Sequence, residues 1–211
     1  MTELVFILDR SGSMCGLEQD TIGGFNSMLQ KQKRQEGDAL VSTVLFNSRS
    51  TVVHDRVPLE QVQPMTEADY TVGGTTALLD AIGGAIKRIA LVHKYARAED
   101  RPEKTLFVIT TDGMENASRK YTYDKIKQMI ECEKEKHGWE FLFLGANIDA
   151  AKEAARFGID ADRAVDYHCD HEGTALNYAV ISDVVADVRA CRAVDKNWKA
   201  RIDADYQRRG K

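Results

Sequence analysis

Five apolar residues in unbroken succession, Leu4-Val5-Phe6-Ile7-Leu8, lead directly into an aspartate, Asp9. A strand with one face in water alternates apolar and polar residues, whereas an unbroken run suits a strand covered on both faces, as in the middle of a parallel sheet. Along the rest of the chain, short β-rich runs alternate with longer segments of helical period. That is the pattern of parallel strands joined by crossover helices, so the expected class is α/β.

Ile22, Phe25, Met28 and Leu29 predict a helix over 18–35, stopped at Gly37-Asp38. Residues 41–46 and 50–57 are β-patterned and separated by Asn47 and Ser48, which predicts a hairpin and hence one antiparallel edge strand. Further along, helices are expected over 78–94, 123–136, 149–157 and 174–192, and strands over 104–110, 139–144 and 163–167. Residues 1–194 read as one domain, and 195–211, charged and sparsely apolar, as an exposed helix or frayed tail.

The 29 Lys plus Arg and 33 Asp plus Glu leave a net charge of −4 with no long block of one sign. A nucleic-acid binder working through bulk positive charge is thereby excluded. The longest apolar runs fall far short of the ~20 residues of a membrane-spanning helix, so no membrane role is expected. The sequence opens Met-Thr-Glu and enters strand pattern at once, without a basic segment or cleavage site, which predicts a cytoplasmic protein. Its four cysteines, Cys15, Cys132, Cys169 and Cys191, are scattered and read as reduced thiols. Neither Cys132 with His137 nor the group His168, Cys169 and His171 has the spacing of a metal site.

In an open parallel sheet, ligands gather beyond the carboxyl ends of the strands. Those ends carry Asp9-Arg10-Ser11-Gly12-Ser13 after the first strand and Thr111-Asp112-Gly113 after the fourth, while Gly74-Thr75-Thr76 precedes a helix. Together they supply two carboxylates and several hydroxyls, with no His or Cys. Such an all-oxygen set suits a hard divalent cation and is a poor match for zinc or copper. In Asp-x-Ser-x-Ser, alternate side chains of a turning loop can converge on one ion. Two anionic ligands only balance a divalent charge, which leaves the ion receptive to one more anionic oxygen from outside.

These segments, together with Gly-Gly-Thr-Thr-Ala-Leu-Leu-Asp-Ala-Ile, resemble the three pieces of the metal-ion-dependent adhesion site (MIDAS) of von Willebrand factor A domains, in the same order, over about residues 3–190. The likeness is to the compact intracellular bacterial representatives. It implies a doubly wound, mostly parallel six-stranded sheet, Rossmann-like, with helices on both faces and a cation at its top. Carried over by position, the metal residues are Asp9, Ser11, Ser13, Thr76 and Asp112. Counting back from the helix start favours Thr76, and proximity to the glycine pair favours Thr75; Thr76 is taken. The cation expected is Mg²⁺, with Mn²⁺ or Ca²⁺ as alternatives, and the partner is a protein contributing a Glu or Asp carboxylate.

The resemblance therefore implies a non-enzymatic interaction module. Two rival readings are a metal-dependent phosphoryl-transfer or hydrolytic enzyme with Asp9 as nucleophile, and a domain whose metal is only structural. Arg10 is the only basic residue within the motifs, and no histidine falls in them, which counts against catalysis. Asp80 reads as a favourable charge in the first turn of its helix, and Met14 as packing above the sheet. Glu115 and Asn116 either shape the rim of the site or begin a loop.

Overall fold

Strand β1 (Thr2–Asp9) is buried along its whole length and lies between two parallel neighbours, β2 (Ala39–Phe46) and β4 (Lys104–Thr111). The structure is a computed structural model and describes residues 1–210; Lys211 lies outside the described residues. Beyond β2 comes β3 (Ser50–Pro58), antiparallel to it, and beyond β4 come β5 (Glu140–Gly145) and β6 (Ala164–Asp166), both parallel. The six strands run in the order β3-β2-β1-β4-β5-β6. This is the doubly wound, mostly parallel arrangement expected, with a single antiparallel edge.

The period of two along β1 splits its side chains between two cores. Leu4, Phe6 and Leu8 face the helices α1 (Glu18–Lys33) and α5 (His171–Arg189), among Phe25, Met28, Ile181 and Val185. On the opposite face, Val5 and Ile7 meet α2 (Leu78–Tyr95), α3 (Tyr123–His137) and α4 (Ala150–Arg156), among Leu79, Ile82, Ile126 and Ala154. A fully buried Leu, Ile or Phe side chain contributes about 1.5–3 kcal/mol, so covering both faces is what makes an all-apolar strand stable here. No helix among the described residues is long and apolar enough to cross a membrane.

Local sequence sets the helix ends. Thr122, Asp149 and Asp170 cap α3, α4 and α5 by accepting backbone N–H bonds from Lys125, Lys152 and Gly173. Helix α5 accordingly starts at His171 and ends at Arg189, earlier at both ends than the expected 174–192.

The tail forms a helix, one of its two expected forms, but not a wholly exposed one. Residues 195–210 are neither frayed nor fully exposed: helix α6 (Ala200–Arg209) buries Ile202, and Val194 and Trp198 join the same core as α1 and α5. Trp198 Nε1 donates to the Asp162 carbonyl at 2.8 Å, and Arg209 Nη1 reaches Asp170 Oδ2 at 2.6 Å.

The strand order reverses direction at the boundary between β1 and β4. Chain leaving β1 passes to α1 on one face, and chain leaving β4 passes to α3 on the other. The diverging loops open a crevice at this switch point, where ligands of such sheets bind. Asp9 ends β1, and Asp112 follows directly after β4.

Candidate metal centre

Backbone hydrogen bonds sew the first two rim loops together. Gly12 N donates to Gly74 O at 3.1 Å, Gly73 N to Arg10 O at 3.0 Å, and Arg10 N to Phe46 O at 2.8 Å. Gly74 has φ +81°, and a Cβ there would stand 2.6 Å from Ser48 Oγ, so only glycine lets the loop pass. Asn47 clamps the same loop, donating from Nδ2 to Gly73 O and accepting from Ala77 N, each at 2.8 Å.

Within this frame Asp9 Oδ1 accepts the Ser11 N–H at 2.7 Å, and Asp9 Oδ2 accepts the Thr111 hydroxyl at 2.6 Å. Ser13 donates to Asp112 Oδ1 at 2.6 Å, and its oxygen lies 3.1 Å from Ser11 Oγ. The two threonines part company. The Thr75 hydroxyl turns outward to Ser48 Oγ at 3.0 Å. Thr76 is buried, its backbone held by Asn116 through N–H to Oδ1 at 2.9 Å and C=O from N at 3.0 Å. Its Oγ1 and Ser13 Oγ each lie 3.8 Å from the position a Cβ on Gly113 would take, so the two hydroxyls face one point. The structure thus gathers Asp9, Ser11, Ser13, Thr76 and Asp112 and leaves Thr75 aside. Ser13 alone of the five is exposed, which makes it the mouth.

Charge in this pocket is uncompensated. Asp9 and Asp112 are each 2% exposed. Desolvation holds both carboxyls above the usual aspartate value; hydrogen bonds from Thr111 and Ser11 offset part of this at Asp9, and bonds from Ser13 and Cys169 do so at Asp112. The charge of Asp112 raises Asp9 further. Arg10 points away, its guanidinium donating to Asp69 O and Thr51 Oγ1. Two buried carboxylates with hydroxyl oxygens and no basic partner fit a hard divalent cation. Among the described residues no group of three or more His, Cys, Asp or Glu could hold a metal, so any ion here relies on the hydroxyls.

Several roles escaped the sequence reading. Cys169, on the loop after β6, donates its thiol to Asp112 Oδ2 at 3.7 Å and sits 4.0 Å from Met14 Sδ. Burial first, and then the Asp112 charge, push that thiol up to about 12. Its one sequence signal was its place beyond a strand's carboxyl end. Tyr70, whose hydroxyl donates to the Asp9 carbonyl, gave no signal. Glu115 and Asn116 shape the rim: Glu115 accepts from Leu79, Ala117 and Ser118 N–H groups at 2.9, 2.8 and 2.7 Å and so joins the third rim loop to α2. Asp80 does more than favour its helix dipole, since its carboxylate accepts the N–H groups of Arg119, Lys120 and Tyr121. The histidines near Cys169 go elsewhere, His168 stacking on Tyr206 and His171 meeting Asp20.

No family model matches the sequence, and no curated protein does so significantly. Solved structures do match its fold. A von Willebrand factor type A protein from Catenulispora acidiphila superposes with TM-score 0.60 at 16% identity, over 88% of this chain and 42% of that one. Proximal thread matrix protein 1 from the mussel byssus gives 0.58 at 12%, over 88% and 46%, and has also been solved with zinc in its MIDAS motif. The ArnB paralog VWA2 from Sulfolobus acidocaldarius gives 0.52 at 16%, over 88% and 44%. The chain thus spans less than half the length of the solved chains it matches. Identity this low carries architecture alone, and on that ground the chain has the fold of the von Willebrand factor A domain.

Proposed function

We propose that this protein is a non-enzymatic, metal-dependent interaction module of the von Willebrand factor A family, working in the cytoplasm. Asp9, Ser11, Ser13, Thr76 and Asp112 would hold a divalent cation, Mg²⁺ before Mn²⁺ or Ca²⁺, and a Glu or Asp of a partner protein docks there. The observation that carries this reading is the pair of buried carboxylates at the switch point, linked through Ser11 and Ser13 by hydrogen bonds and with no basic side chain bonded to either. Bound there, the cation supplies a Lewis-acidic position for one outside anionic oxygen. This chain's own groups do the preparation. Thr111 and the Ser11 amide orient Asp9, Ser13 orients Asp112, and exposed Ser13 leaves the mouth open to a partner. The zinc-occupied MIDAS of the mussel protein is in keeping with a divalent cation in general and not with Mg²⁺ in particular, and the four free thiols are in keeping with a reducing compartment. The phosphoryl-transfer reading gains nothing from the geometry, because Arg10 is turned toward β3 and the 59–77 loop.

The test is calorimetric titration of Mg²⁺ and Mn²⁺ into chelator-stripped protein, wild type beside Asp112→Ala. Saturable binding that disappears in the variant is expected. If neither protein binds metal, the motif serves as a set of loop and helix caps and the docking proposal falls. A pull-down with and without chelator then separates docking from a structural metal, since only docking loses its protein when the chelator is added.

A further inference from the structure

Beneath Asp9, between β1 and the paired helices α1 and α5, lies a small cavity lined in part by Asp9, Met14, Thr21, Tyr167, Thr174 and Asn177. The space open to the centre of a water molecule is about 20 Å³. Thr21, Thr174 and Asn177 are 3%, 5% and 3% exposed. Thr174 Oγ1 and Asn177 Oδ1 make no hydrogen bond within the protein, and Thr21 Oγ1 has only the neighbouring Tyr70 hydroxyl, with which it makes no well-formed bond. One of these residues lies on α1 and two on α5, so two separate helices bring buried polar side chains to the lining of one cavity.

Buried polar groups in folded proteins are satisfied by protein or by ordered water, and cavities that stay dry are apolar. A water needs roughly 10–15 Å³ of such space and typically makes about three hydrogen bonds. Both conditions are met here by one molecule. Water both donates and accepts, so it serves hydroxyls whose protons turn either way and an amide in either orientation.

We infer that this cavity is a binding site for one structural water, held by Thr21 of α1 and by Thr174 and Asn177 of α5, directly beneath the candidate metal ligand Asp9. The water completes a seam whose other parts are direct contacts. Midway along the seam, a Cβ on Gly24 would come within 2.3 Å of the Tyr178 ring, so the helices touch there through glycine. At the far end Gln32 donates to Ser182 O at 2.8 Å, and Arg189 Nη1 donates to Gln32 Oε1 at 3.0 Å. The seam is therefore polar at both ends and close-packed between. This inference stands independently of the metal reading.

The rival arrangement is local. The N–H groups of Thr21 and Thr174 already donate to Leu17 O and Asp170 O, and their hydroxyls could rotate onto those same carbonyls, or that of Thr21 onto the nearby Tyr70 hydroxyl. A high-resolution crystal structure of the full chain, with water-to-protein NMR cross-peaks, separates the two. The expected result is one water about 2.7–3.2 Å from all three atoms, with cross-peaks that persist on the timescale of a held molecule. A dry cavity with both hydroxyls bonded to protein neighbours would overturn the inference. Thr174→Val with Asn177→Leu should abolish the density and the cross-peaks, and a water retained unchanged in that folded variant would equally overturn it. Should the double variant fail to fold, Thr174→Val alone serves, and the wild-type result decides by itself.

Discussion

Glu3 and Asp9 occupy opposite ends of β1 and are equally shut off from water, at 0% and 2% exposure, yet the molecule treats them differently. Glu3 Oε2 accepts from Arg56 Nε at 2.8 Å and lies 3.2 Å from His93 Nε2. Asp9 meets hydroxyl and amide donors only, with a second carboxylate, Asp112, acting on it. An unpaired buried charge costs several kcal/mol even after relaxation. The fold pairs one carboxylate with a cation of its own, Arg56, and gives the other no basic partner, the difference on which the proposed metal site rests.

The comparison can be broken first at its lower end. Arg56→Ala should destabilise the protein by about 3–5 kcal/mol, the usual cost of stranding one member of a buried pair. Urea denaturation should return the same loss with chelator or with Mg²⁺; a loss below about 1 kcal/mol would mean Glu3 does not depend on this partner.

At the upper end the effect should depend on the cation. Mg²⁺ at a hundredfold its Kd should add about 2.7 kcal/mol to wild type and nothing to the double variant Asp9→Asn/Asp112→Asn. The pH dependence follows in sign. Both carboxyls titrate above the usual 3.8 in the folded, metal-free protein, so that state binds protons more tightly than the unfolded chain. Relative to the double variant, metal-free wild type should therefore lose stability as pH rises from 3.8 through the raised folded values, and saturating Mg²⁺ should reverse the loss. Parallel melting curves that do not diverge with pH would show that the site carries no such strain.

The smallest expected difference sharpens the site's edge. Thr76→Ala should weaken Mg²⁺ binding roughly tenfold, or about 1.4 kcal/mol, while Thr75→Ala should leave it unchanged because that hydroxyl faces Ser48. Equal losses would move the boundary of the site outward.

The fold was legible because its signals are local. The unbroken run at Leu4–Leu8, the helical stripes and the Asn47-Ser48 turn each announce their own element, and parallel strands with crossover helices leave few topologies. The candidate metal residues were legible because each abuts a strand end or a helix start. Tyr70, Cys169 and the trio Glu3, Arg56 and His93 were not, since they meet only after segments distant in sequence fold together. The C-terminal helix did leave a trace. Val194, Trp198 and Ile202 recur at every fourth residue, a stripe outweighed by the charges around it.

The segment leading into that helix bears on self-association. A sheet edge offers unpaired backbone groups to any other chain, and β6 is such an edge. Trp198 occupies the Asp162 carbonyl, and Lys199 Nζ reaches the Ala161 and Ala164 carbonyls at 2.8 and 2.5 Å. Arg163 in turn binds the Val194 carbonyl at 3.1 Å, fastening the segment to the edge it covers. Residues 194–199 thereby cover part of the edge at which another chain could pair, and they do so with side chains rather than with a seventh strand.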